Sequence, residues 1–181
     1  MELYPEAKPT IGPAIERGFY YDFAMDPITE SDLKPIHKKM QEIARRNLPV
    51  ERIELSDGEL REHFAANPYK IEIINDKIGE GIGSTIYKQG DWYDLCLGPH
   101  VASTAKLMFC KLTSVSSAYW RGDQSREQLV RIYGIVEPTK DALKQTLHRM
   151  EEAKKRDHRK LGRDLQPVSY THLRAHETSA N

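Results

Sequence analysis

The sequence predicts an α+β fold, an antiparallel sheet with helices packed against it and a long helix at the C-terminal end. Three observations carry that expectation. Short runs rich in aromatic and β-branched residues are set between Gly and Pro turns. One of them, Ile86 to Leu97, is interrupted only by Gly90-Asp91, the signature of a hairpin. Two stretches, Thr29–Asn47 and Thr139–Leu165, repeat apolar residues at helical spacing.

In chain order, Met1 to Pro13 is short, broken by prolines and resembles the end of an element. Gly18–Phe23 (GFYYDF) reads as an aromatic strand. In Thr29–Asn47 the residues Leu33, Ile36, Met40, Ile43 and Ala44 share one helix face. Pro35 fits only in the first turn, which makes Ser31 the expected cap. Pro49–Leu55 partly alternates and reads as a strand. Ser56 and Glu59 form a capping box for a short helix that ends near Asn67-Pro68.

Tyr69–Ile74 (YKIEII) reads as a strand, followed by a Gly-rich turn, GEGIGST. The hairpin Ile86–Leu97 then delivers Cys96 on its second arm. Lys106–Trp120 and Leu129–Val136 are further strands, with Trp120–Asp123 as a turn. Thr139 caps the final helix, whose apolar residues are Leu143, Leu147, Met150 and Leu161. The closing stretch, Gln166–Asn181, is polar and without period, and is expected to lie outside the fold.

Composition excludes several classes of function. The 181 residues suit one domain with an appendage, and 27 basic residues balance 27 acidic ones. No global basic field marks a dedicated nucleic-acid binder. No apolar run has the roughly 18 residues of a membrane span, and the N-terminus lacks a signal-peptide layout. Two cysteines, Cys96 and Cys110, make no disulfide framework, so a reduced cytoplasmic setting is expected.

The chemistry concentrates in DWYDLCLGPH, residues 91–100. Gly98-Pro99 excludes a helix, so the Cys96 thiol and His100 imidazole belong to a strand and the turn after it. Both are zinc ligands or proton carriers. Asp94, two residues before Cys96, shares its side of the strand and can orient the imidazole or polarise a water. Alone, this spacing fits a structural thiol beside a surface imidazole equally well. His172 and His176 could complete four zinc ligands, but no apolar face docks their stretch. On the final helix basic residues outnumber acidic ones; a solvated face accounts for this, and phosphate contact is the other reading.

IGPAIERGFYYDF, YKIEII, WYDLCLGPHV, AYWRGD, RIYGIV and KRDHRKLGRDL, in that order and spacing, resemble the bacterial threonyl-tRNA synthetase family. The resemblance runs from Leu3 to about Leu165, within the second N-terminal domain, an editing domain shared with alanyl-tRNA synthetases. It implies a segment of an ATP-dependent threonine–tRNA ligase whose editing domain hydrolyses seryl-tRNA made in error. Residues 1–137 would be that domain, 138–165 a linker helix toward a class II catalytic domain, and 166–181 a stretch foreign to the family.

Carried over by motif, the resemblance makes Lys70, Asp94, Cys96 and His100 the catalytic set, with Gly12 and Tyr21 lining the pocket. Cys96 and His100 are the metal ligands if zinc binds; ATP, Mg and a further Zn serve the catalytic domain. The implied partners are the acceptor end of the threonine tRNA, that catalytic domain and a second copy in a cytoplasmic homodimer. In the family an HxxxH helix precedes IGP, whereas this chain starts at Met1. The expectation is therefore half a site, with little activity for the chain alone. A free-standing deacylase of the alanyl type, or an inert or tRNA-binding remnant, are the alternatives.

Overall fold

The computed structural model describes residues 1–80 and 85–164, with side chains to Asp157. Part of the GEGIGST turn, Leu161, His172, His176 and the rest of the closing stretch lie outside the residues or side chains described. The chain divides into two compact units, Met1–Leu143 and Lys144–Asn181.

The first unit contains two antiparallel sheets. The larger runs β1 (Lys8–Pro9), β3 (Gly18–Ala24), β8 (Gln128–Val136), β7 (Cys110–Tyr119), with β2 (Ala14–Ile15) also paired to β3. Helix α1 (Leu33–Arg45) packs on it. Leu33, Leu112, Val130 and Ile132 form the buried centre, joined by Phe19, Phe23, Ile36 and Met40. These are the strand aromatics and helix-face residues that periodicity assigns to the core.

One charged residue inside this sheet is buried and paired. Asp22 on β3 is 2% exposed, and Arg131 on β8 forks onto it with Nε–Oδ1 at 2.7 Å and Nη2–Oδ2 at 2.8 Å. The bidentate geometry satisfies both carboxylate oxygens, and the guanidinium lies 3.9 Å from the Tyr20 ring centroid.

The smaller sheet orders β4 (Glu51–Glu54), β5 (Thr85–Gln89) and β6 (Trp92–Leu95). It is covered by α2 (Asp57–His63) and α3 (Pro68–Gly79) around Leu60, Phe64, Ile74 and Ile86. The Ser56–Glu59 capping box forms as expected, with Ser56 N donating to Glu59 Oε2 at 2.8 Å. α4 (Lys140–Asp164) starts where predicted, with Ala142 N donating to Thr139 Oγ1 at 3.1 Å.

Four expectations are corrected. Residues 69–74 are not a strand: Asn67 caps and Pro68 opens α3, and Ile71, Ile74 and Ile78 fall three and four apart on the face toward the core. YKIEII fits a period of two as well as one of 3.6, and the Asn-Pro start decides for helix. The first long helix opens with a 3₁₀ turn, Glu30–Asp32, whose cap is the Thr29–Asp32 pair rather than Ser31. The strand placed from Lys106 begins only at Cys110, because Thr104–Leu107 forms a 3₁₀ turn. There the Thr104 hydroxyl accepts from Leu48 N at 3.0 Å and donates to Ile43 O at 3.1 Å. Cys96 sits one residue past β6.

Candidate functional site

The pocket is built on one face of the β5–β6 hairpin. The two-residue turn at Gly90-Asp91 fixes its register, setting Tyr87 opposite Asp94 and Gln89 opposite Trp92. Cys96 extends the ladder through its N–H to Thr85 O at 3.0 Å, while Thr85 Oγ1 donates to Cys96 O at 2.5 Å. Facing the hairpin is the extended segment Thr10–Pro13 beside Tyr21 of β3. Its backbone is held by Thr10 N to Asp22 O and Asp22 N to Ile11 O, both 2.9 Å. α3 closes the third side and brings in Lys70.

These elements enclose about 280 Å³, lined among others by Gly12, Tyr21, Lys70, Tyr87, Asp94, Cys96 and His100. All six residues singled out from the sequence thus line one cavity. At its wall three side chains form a bonded trio. Lys70, 2% exposed, places Nζ 2.5 Å from Asp94 Oδ1 and donates to Tyr21 Oη at 3.2 Å. The Tyr21 hydroxyl donates in turn to Asp94 Oδ2, and Leu95 N donates to Asp94 Oδ1 at 2.8 Å.

The electrostatics follow from burial. Desolvation, reinforced by the Asp94 carboxylate, pushes the Tyr21 hydroxyl far above its ordinary value of 10.0, so it stays a donor. Asp94 has both oxygens engaged and acts as an anchor. Among the described residues Asp94 and Tyr21 are the partners of the Lys70 ammonium, so one of its three N–H groups has no partner there.

His100 lies flat on Tyr87, ring centroids 4.1 Å apart at 24°. Partial burial lowers its pKa below 6.5, with Asp94 pulling the other way, so the imidazole is neutral at pH 7. Cys96 accepts from Gly98 N at 3.3 Å through Sγ. The other thiol, Cys110, is buried in the larger sheet, which pushes it up to about 11 and leaves it inert.

Two glycines make the approach possible. A Cβ on Gly12 would stand 2.1 Å from Tyr21 Cδ2. One on Gly98, already at φ +77°, would stand 1.9 Å from Tyr87 Oη.

Among the described residues no cluster of three or more His, Cys, Asp or Glu is placed to hold a metal. Cys96 and His100 supply two donors and Asp94 is committed elsewhere. A catalytic zinc needs three protein ligands and a structural one four, so these donors do not fit zinc by themselves.

Sequence reasoning missed Tyr87 and Asn67. Tyr87 was readable from the hairpin register, being the residue opposite Asp94. Asn67, whose Oδ1 accepts from Lys70 N at 3.3 Å, was readable as the cap in an Asn-Pro pair.

Residues 84–133, which include the hairpin, Cys96 and His100, match the family described as the threonyl and alanyl tRNA synthetase second additional domain. Threonine–tRNA ligase of Rubrobacter xylanophilus is 52% identical over 166 residues, covering 91% of this chain and 26% of that protein. The Marinobacter nauticus ligase is 53% identical over 91% of the chain and 26% of its own length. That of Thermoplasma volcanium is 51% identical over 88% and 24%. The chain spans about a quarter of the length of these relatives. Over nine tenths of its length it is therefore similar to one segment of the threonine–tRNA ligases, and it carries the match to the second additional domain that they share with alanyl-tRNA synthetases.

Proposed function

We propose that this chain is the editing segment of a threonine–tRNA ligase and that its pocket cleaves the ester of seryl-tRNA formed in error. The buried Lys70–Asp94–Tyr21 trio, on the wall of a cavity that Cys96 and His100 also line, carries the reading. The similarity to the ligases supports it.

The need for such a pocket is energetic. Serine differs from threonine by one methyl, worth about 1–3 kcal/mol of selection, too little for accurate charging. A second site too narrow for that methyl admits serine alone. In this pocket the free N–H of Lys70 meets the ester carbonyl oxygen and stabilises the charge it gains as water adds. His100, neutral at pH 7, takes the proton of that water. The water oxygen bonds to the acyl carbon, the bond from that carbon to the ribose oxygen breaks, and the ribose oxygen receives the proton. Cys96 lines the pocket and forms no covalent bond.

In the same reading the tRNA acceptor end enters from the open side. Charging of the tRNA, with ATP and Mg, belongs to other parts of a longer cytoplasmic protein that pairs with a second copy. The test is deacylation of seryl-tRNA by a threonine–tRNA ligase carrying this chain in place of its own segment. Lys70→Ala should slow hydrolysis on the order of 100-fold and leave threonyl-tRNA untouched in both forms. Equal rates with and without Lys70 would refute the assignment.

A further inference from the structure

Asn67 uses both ends of its amide. Oδ1 accepts the N–H of Lys70 at 3.3 Å, which caps α3, and Nδ2 donates to the carbonyl of Pro9 at 2.8 Å. Only this orientation satisfies both partners, since an N–H needs an acceptor and a carbonyl needs a donor. Pro9 ends β1 and leads directly into Thr10–Pro13, the wall on which Gly12 meets the Tyr21 ring. Lys70 stands on the adjoining side, which α3 closes. One half-buried side chain therefore ties the helix that carries the ammonium to the extended segment that carries the glycine.

We infer that Asn67 is a positioning residue that fixes the spacing of the two walls, and with it the size of acyl group the pocket admits. The inference rests on the reading that the pocket takes a seryl ester. Telling one methyl from none requires walls held to a fraction of an ångström. A second link, from Lys70 to Tyr21 of β3, belongs to the groups that face the substrate. The Asn67–Pro9 bond stands behind them, where an entering ligand leaves it intact.

Asparagine suits both tasks because it joins an acceptor and a donor on one short stem. Aspartate caps a helix equally well. It has no N–H for Pro9, and its carboxylate would face a carbonyl oxygen. Asn67→Asp thus keeps the cap and removes the tie.

The experiment measures binding of the non-hydrolysable 3′-seryl and 3′-threonyl amides of 3′-amino-3′-deoxyadenosine to the full chain, together with its melting temperature. The native chain should prefer the seryl compound. Asn67→Asp should reduce that preference about fivefold by gaining threonyl binding, and the lost hydrogen bond should lower the melting temperature slightly. An unchanged preference, or an equal loss of both ligands together with a lower melting temperature, would overturn the inference. Should the native chain bind neither amide, the seryl-ester reading fails separately. The ¹⁵N resonance of the Lys70 ammonium then decides the positioning role: a shift in Asn67→Asp upholds it and an unmoved signal removes it.

Discussion

Lys70 of α3 and Asp94 of β6 meet at 2.5 Å with side chains only 3% and 12% exposed. A buried ion pair of this kind does little for net stability, because desolvation of two charges offsets their attraction. Its value lies in direction: the carboxylate holds the ammonium at one place on the pocket wall.

Removing one partner should cost more than removing both. Asp94→Asn strands a buried ammonium and should lower unfolding free energy by about 3–5 kcal/mol. Asp94→Asn with Lys70→Met should recover part of that loss. Urea titrations of the two single variants and the double variant give the cycle; simple additivity would show that the pair is not coupled.

His100 should titrate below 6.5, the direction set by its partly buried ring. The folded form then binds fewer protons than the unfolded one, so stability rises with pH through this window and is level above 6.5. Proton NMR of the imidazole and denaturation between pH 5 and 7 check both statements. His100→Gln should flatten this share of the slope and, in the ligase assay, abolish the low-pH limb of the rate.

Glu72 illustrates the opposite sign. It accepts from Arg126 at 2.9 and 2.8 Å and from Trp120 Nε1 at 3.1 Å, and forms an ion pair with Arg121, whose Nε lies 2.9 Å from Oε1. Arg126 foremost, then Trp120, holds its pKa down at about 2 against an ordinary 4.5. The stabilisation is complete above pH 4.5 and disappears as pH falls toward 2. Allowing for solvent screening of this half-exposed group, Glu72→Gln should cost about 1 kcal/mol at pH 7 and nothing near pH 2. A constant cost across that range would contradict the picture.

Gly12→Ala tests the fit of the pocket wall. The new methyl would overlap the Tyr21 ring, so the ring must move and the hydroxyl must leave Asp94 or Lys70. A loss of about 1–3 kcal/mol is expected, with seryl-amide binding reduced. Gly58→Ala meets nothing within 4 Å, lies outside the pocket, and serves as the control.

Much of this was legible in the residues. The hairpin was, because Gly90-Asp91 fixes a register and the register fixes which side chains share a face. So was the α1 core, where Leu33, Ile36 and Met40 keep helical spacing. The helix at Lys70 was not: six residues with two fitting periods cannot choose between them, and the choice came from Asn67-Pro68 at their start. Nor was the pairing of Lys70 with Asp94, which depends on how α3 settles over a separate hairpin. The division into two sheets was hidden for the same reason, being a matter of which strands meet far apart in sequence.

Tyr21 lies 49 positions before Lys70 and 73 before Asp94. No short piece of this polypeptide holds the trio. The cleft therefore exists only after β3, α3 and the β5–β6 hairpin have all been made and have come together.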